Sequence, residues 1–181
     1  MKVSKTALQD VLLIEPVVHR DNRGFFLETW NERDFAISTG VSTTFVQDNH
    51  AHSTRSVLRG LHYQRPKSQG KLVRVVSGEV FDVTVDLRKS SPTFGRWMGV
   101  SLSAENGYML WIPEGFAHGY LTLSKSSDLL YKTNTYYDSS NERCILWNDP
   151  DIGIEWPLPA EPVLAAKDRS GTRFQDAQFF D

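Results

Sequence analysis

The sequence predicts an all-β fold, a β-barrel or β-sandwich with a few short helices, and three observations carry it. Short runs rich in Val, Leu, Phe, Tyr and Trp recur along the whole chain, separated by Gly, Pro, Asn, Asp and Ser. One run, Glu79-Val80-Phe81-Asp82-Val83-Thr84-Val85-Asp86-Leu87, alternates with the period of two that a pleated strand imposes. Helix signals are sparse, and the most convincing in the first half covers Glu32 to Thr39.

The first strands are expected at Val11 to Glu15, closed by Pro16, and at Val17 to His19. Asp21-Asn22-Arg23-Gly24 is a turn, followed by a strand from Phe25 to Trp30 whose one face carries Phe26, Glu28 and Trp30. Asn31 can cap the helix at Glu32, and Gly40 can end it. Phe45 to His50 returns to strand, with Gln47 and Asn49 on one face as a hydrogen-bonding wall. Val57 to Gln64, Lys71 to Val76 and Glu79 to Leu87 continue the β rhythm, separated by the Gln69-Gly70 and Ser77-Gly78 turns. Trp97 to Leu102 and Tyr108 to Ile112 follow. Pro113 to Gly119 suits a tight turn, with His118 in it, into a strand from Gly119 to Leu123. Leu129 to Thr133 and Cys144 to Trp147 complete the set. From Asp149 the chain is rich in proline (Pro150, Pro157, Pro159, Pro162) and is expected to wrap the body rather than pair.

No repeat or linker divides the 181 residues, so residues 1–181 form one domain, with 149–181 as its wrapping segment. No apolar run approaches the about 20 residues of a membrane span. The start of the chain has no signal-peptide pattern, and a single cysteine, Cys144, excludes an internal disulfide. A cytoplasmic protein is expected. A net charge of −2 and a pI near 6.2 offer no global attraction for nucleic acid, so an anionic ligand needs a local cationic pocket.

Leu58-Arg59-Gly60-Leu61-His62-Tyr63-Gln64 puts a cation, a permissive glycine and an imidazole within a few residues. Neither Arg59 nor His62 is cheaply buried without a partner, so a site is expected there. Gly107, Pro113-x-Gly115 and His118 resemble the second signature of the cupin superfamily, and His62 stands at the first histidine of the first. Metal-binding cupins place further ligands after that histidine. This chain has Gln64 and then Lys71 instead, and a lysine must lose its proton before it can ligate. No metal and no cofactor are expected.

The match extends further. Asp21-x-Arg23-Gly24-x-Phe26-x-Glu28, Val46-Gln47-Asp48-Asn49, the Arg59 to Gln64 block, Gly70-Lys71-Leu72-Val73-Arg74, Val85-Asp86-Leu87-Arg88, Ser91 to Gly95, Trp111 to Gly119, Tyr131-Lys132 and Lys167-Asp168 together resemble the dTDP-4-dehydrorhamnose 3,5-epimerase family, from about Ile14 to Asp168. The resemblance implies a double-stranded β-helix, the cupin jelly roll. It implies a cofactor-free enzyme inverting C3 and C5 of dTDP-4-dehydro-6-deoxy-D-glucose, on the way to dTDP-rhamnose. The 4-keto group acidifies both neighbouring carbons, so a base, an acid and an enolate stabiliser suffice.

By that resemblance His62 is the base, Asp168 orients it, Lys71 stabilises the enolate and Tyr131 reprotonates from the opposite face. Arg23, Arg59 and His118 are implied near the diphosphate and sugar. Glu28, Gln47 and Asn49 are implied near the base, Tyr137 stacks on thymine, Asp48 is implied among the substrate-binding residues, and Glu142 and Lys167 complete the set. Asp82 and Asp86 compete with Asp168 as partners for His62. A homodimer with an N-terminal strand crossing the interface is also implied. Rival readings are an epimerase of a single centre on a related keto sugar, a non-catalytic sugar-nucleotide-binding cupin, and a metal-dependent cupin.

Overall fold

The structure, a computed structural model, describes residues 1–158 and 160–181, so Pro159 of the expected wrapping segment lies outside the described residues. In chain order the strands begin with β1 (Lys2–Lys5), β2 (Leu12–Glu15), β3 (Val18–Asp21) and β4 (Gly24–Leu27), before helix α1 (Glu32–Thr39). Then come β5 (Gln47–Thr54), β6 (Leu58–Gln64), β7 (Lys71–Ser77), β8 (Glu79–Asp86) and β9 (Trp97–Ser103). The last are β10 (Met109–Ile112), β11 (Phe116–Thr122), β12 (Ser126–Thr133) and β13 (Glu142–Cys144), and a short helix α2 (Ala166–Arg169) lies in the tail. The two main sheets run β1-β2-β10-β7-β12-β5 and β13-β6-β11-β8-β9, and β3 with β4 forms a separate hairpin. From β6 onward successive strands switch sheets, except at β8–β9, and the named strands pair antiparallel. That winding is the double-stranded β-helix.

Three apolar clusters hold the layers. Val73, Val75, Val80, Leu110, Ile112, Phe116 and Leu129 fill the space between the sheets. Leu61, Tyr63, Val83, Val85, Leu87 and Ala117 face outward from the five-stranded sheet and are covered by the tail through Trp156, Phe174, Phe179 and Phe180. Helix α1 covers the other sheet with Phe35, which packs edge-on to Trp111 at 5.6 Å. Its ends follow the sequence signals: Asn31 Oδ1 accepts from the Asp34 amide at 3.1 Å, and Gly40 closes the helix at φ +75°.

Several boundaries differ from expectation. β1 was not foreseen; it pairs with β2, Val3 opposite Ile14. β4 stops at Leu27 rather than Trp30, because Trp30 leaves the hairpin to pack on Phe35 at 5.0 Å and Phe45 at 4.6 Å. β5 starts at Gln47 and continues to Thr54. His118 is not in a turn: it sits inside β11, a central strand buried along its whole length, and the turn falls earlier, at Gly115 with φ +92°. The strand expected over Cys144 to Trp147 is Glu142–Cys144. Ile145 instead makes a single bridge to Thr172.

The tail pairs more than its prolines suggest. Isolated parallel bridges join Val163 to Val57, Thr172 to Ile145 and Phe180 to Arg88. Asp149, 1% exposed, accepts from Arg173 Nε at 2.8 Å and the Phe174 amide at 2.9 Å, and so fixes the return of the chain.

β6 and β11 approach unusually closely. A Cβ built on Gly60, at φ +126°, would lie 2.5 Å from Gly119 Cα, and one on Gly119 would meet the Arg59 carbonyl at 2.7 Å. The pairing register shifts between His118 and Tyr120, so the two glycines sit at a bulge between the two histidine-bearing strands. Gly60→Ala is therefore expected to cost about 2–4 kcal/mol in urea unfolding, because the methyl meets backbone and the φ suits only glycine. An unchanged unfolding midpoint would contradict this account of the contact.

Candidate active site

Between the two sheets opens a cavity of about 520 Å³, within the range of small-molecule sites. Its walls follow from strand alternation. His62 and Gln64 point inward from β6, while Leu61 and Tyr63 point outward under the tail. His118 and Tyr120 enter from β11, Lys71 from β7, Tyr131 from β12, and Gln47 and Asn49 from β5.

His62 Nε2 lies 2.5 Å from Asp168 Oδ1, across 106 residues of sequence. Helix α2 delivers Asp168, which is only 1% exposed, from the tail. A carboxylate oxygen accepts, so Nε2 is the donor of this contact, and in the neutral ring that tautomer puts the lone pair on Nδ1. The competing partners are engaged elsewhere. Asp82 Oδ2 lies 2.9 Å from His118 Nε2, while Asp86 accepts from Arg88 at 2.9 Å, Ser91 at 2.6 Å and Thr93 at 2.7 Å. Burial works against the charge of Asp86, but those donors outweigh it and hold the carboxyl below its usual range.

Lys71 is 8% exposed, and its ammonium enters no ion pair among the described residues. Burial pushes its pKa down to about 8, against the opposing pull of Asp82 and Glu142. It is a buried cation still able to take an anion. Tyr131 is pushed the other way: burial, and then neighbouring Tyr120, raise its phenol, so it remains a proton donor near neutrality.

Glu142 accepts from Lys167 Nζ at 2.8 Å and from the Tyr137 hydroxyl at 3.2 Å. Burial opposes its charge, and Lys167, His62 and Tyr137 outweigh burial to keep it ionised. Gln47 donates to Asn49 Oδ1 at 2.8 Å and accepts from the Tyr137 amide at 2.9 Å. Buried Gln64 accepts from the Asp138 amide at 2.7 Å and donates to the Tyr136 carbonyl at 3.3 Å. The loop bearing Tyr137 is thus tied to the cavity wall.

Three expected residues lie elsewhere. Arg23 stays on the β3–β4 hairpin, paired with Asp21 at 2.5 Å, and Glu28 hydrogen-bonds Asn31 beyond it. Asp48 faces outward on β5, paired with Lys132 at 2.6 Å. None of the three lines the cavity of this chain. Tyr120 and Ser53, conversely, were not foreseen. Extending β11 to Phe116–Thr122 by the period of two places Tyr120 on the His118 face, and extending β5 places Ser53 on the Gln47 and Asn49 face.

One donor group could be mistaken for a metal centre: ligand atoms of His62, Cys144 and Asp168 lie within 4.8 Å of one another. The donors do not suit a cation. The His62 nitrogen and Asp168 oxygen already share a proton, and burial, then Asp168, push the Cys144 thiol up to about 12.

The model of the dTDP-4-dehydrorhamnose 3,5-epimerase family matches residues 5–176. The chain belongs to that family. It is 58% identical over 181 residues to the dTDP-4-dehydrorhamnose 3,5-epimerase of Shigella flexneri, covering 99% of each chain. It is 55% identical over 180 residues to that of Pseudomonas aeruginosa, again covering 99% of each. A crystal structure of a 3,5-epimerase from Legionella pneumophila, in complex with dTDP-4-keto-L-rhamnose, superposes with a TM-score of 0.95. That protein is 44% identical, over 98% of this chain and 94% of its own. The epimerase fold of the family is the jelly roll described above.

The basic limb of the epimerase pH profile should follow Lys71. Its charged form is lost as pH rises through about 8, so the rate falls there. Asp82 helps to keep Lys71 protonated, so Asp82→Asn is expected to move that limb to lower pH. A limb that stays in place or moves upward would show that another group sets it.

Proposed function

We propose that this cavity inverts C3 and C5 of dTDP-4-dehydro-6-deoxy-D-glucose, giving dTDP-4-dehydro-L-rhamnose through enolate intermediates. The observation that carries the reading is that one cavity is lined both by a base held by a buried acid and by a buried ammonium that makes no ion pair among the described residues. Nδ1 of His62 takes the proton from the carbon beside the ketone, and Asp168 stabilises the imidazolium that forms. The electrons move onto the 4-oxygen, where the Lys71 ammonium meets the developing charge in a largely dry site. Tyr131 returns a proton to the opposite face, and the same set acts at the second carbon. Arg59 and His118 hold the diphosphate and sugar. Gln47, Asn49 and Tyr137 receive the thymine nucleoside, with Glu142 and Lys167 closing that wall.

The remaining assignments need a second copy of the chain. Arg23 and Glu28 sit on or just after a hairpin that pairs with neither main sheet, with Phe25 61% and Phe26 71% exposed. Strand β5, which carries Gln47, Asp48 and Asn49, ends the six-stranded sheet, and no strand among the described residues pairs with its outer edge. A homodimer in which each hairpin reaches the partner's β5 edge covers the phenylalanines and brings Arg23 and Glu28 to the neighbouring cavity. No helix among the described residues is long and apolar enough to cross a membrane. The one cysteine is free, which suits a cytoplasmic setting.

Incubation with the 4-keto nucleotide sugar in deuterated water, with chelator and no added cofactor, should place deuterium at both C3 and C5. Label at one carbon would mean a single-centre epimerase, and no label would remove the enzymatic reading. His62→Asn should lower exchange by about 10²–10⁴-fold with dTDP binding retained. Tyr131→Phe should still exchange through His62 without inverting the centre, and undiminished inversion would refute its role as acid. Sedimentation should show twice the 20.6 kDa chain mass, with the Phe25→Asp, Phe26→Asp double variant shifted to monomer. A wild-type monomer would refute the shared site.

A further inference from the structure

We propose that Tyr120 and Ser53 are positioning residues that lock one edge of the Arg59 guanidinium, leaving its other edge presented to the nucleotide diphosphate. The inference rests on the reading of Arg59 as the phosphate anchor. Arg59 projects from β6, while Ser53 and His52 belong to β5 at the edge of the opposite sheet. Arg59 Nε donates to Ser53 Oγ at 3.0 Å, and Nη2 donates to the His52 carbonyl at 3.0 Å. Ser53 Oγ is in turn 3.1 Å from the Tyr120 hydroxyl, and Ser53 and Tyr120 are 3% and 5% exposed.

A guanidinium is a flat fork with five N–H donors. The Nε and Nη2 hydrogens on one side point the same way, and here both are taken by the protein. The end pair, one hydrogen on each Nη, has no partner among the described residues and is the pair that matches two oxygens of a phosphate. Arg59 is otherwise an exposed side chain with many rotamers. Fixing Ser53 from below with a buried phenol turns a mobile cation into an oriented one, which lowers the ordering cost of binding without altering the proton chemistry. Tyr120 is well placed for this. It follows His118 by two residues on β11, and Arg59 is its register partner on β6 across the glycine bulge.

The test is calorimetric binding of dTDP and of thymidine to wild-type protein, Tyr120→Phe, Ser53→Ala and Arg59→Ala, with steady-state kinetics on each. Tyr120→Phe and Ser53→Ala are expected to weaken dTDP about five- to tenfold, leave thymidine unchanged, and raise KM with kcat within about twofold. In an Arg59→Ala background, which alone should cost about 30- to 100-fold in dTDP affinity, Tyr120→Phe should add nothing. Unchanged dTDP affinity in both Tyr120→Phe and Ser53→Ala, with Arg59→Ala weakened, overturns the positioning role alone. Equal loss for thymidine and dTDP, or a fall in kcat at constant KM, also overturns it. Unchanged dTDP affinity in Arg59→Ala overturns the anchor reading on which it stands.

Discussion

The contact on which the architecture depends is the 2.5 Å approach of His62 Nε2 to Asp168 Oδ1. A carboxylate buried to 1% exposure is costly unless it is paired, and its partner comes from a strand more than a hundred residues away. The contact exists only when the tail is docked. That docking uses the three parallel bridges, the Asp149 pin and the aromatic cover of Trp156, Phe174, Phe179 and Phe180 over the five-stranded sheet. The hydrophobic surface that binds the tail is the outward face of the strands whose inward face carries His62 and His118. Packing and the candidate site therefore share strands β6 and β11, one on each face.

Apolar and charged side chains share the interior of the barrel. Phe116 and the valines of β7 and β8 belong to its dry core. Around the cavity charged groups lie close together, and its acids have partners: Asp82 with His118, Glu142 with Lys167 and Asp168 with His62. Buried Lys71, by contrast, makes no ion pair among the described residues. An ammonium whose pKa burial has brought down to about 8 is held in a state that a negative oxygen would relieve. That is the charge state the proposed role of Lys71, stabilising the enolate oxygen, calls for.

The fold was legible because strands announce themselves by alternation, and β8, read residue by residue, carries both its outward valines and its inward acids. The dyad was legible only through the Lys167-Asp168 motif, since nothing in the local pattern of an irregular tail brings Asp168 to His62. Boundaries failed where tertiary packing overrode local signals. Trp30 left its strand for Phe35, and the glycines around His118 suggested a turn although Gly119 serves a close approach between strands. Tyr120 and Ser53 stayed hidden for the same reason, because a residue's face cannot be assigned until its strand's ends are known. Arg23 and Glu28 pose a different problem. Their motif marks them as part of a site, but the fold of one chain leaves them outside its cavity.

That separation has a physical logic. Residues that move protons must hold their geometry within a fraction of an ångström, and those proposed to do so, except Asp168, stand on doubly paired strands of the barrel. Residues that receive a nucleotide need only complementary surface, and those proposed for it sit on the β5 edge, on the loop tied down by Gln64, and on the outlying hairpin. Arg59 lies between the two regimes. It rises from a central strand next to the glycine bulge, yet its charged end is exposed and depends on the edge strand for its direction. A side chain rooted in the rigid part and steered by the peripheral part can register the nucleotide against the proton-transfer set. On the proposed reading the sugar ring lies between the diphosphate anchor and the dyad, where one base can address the carbons on both sides of the ketone.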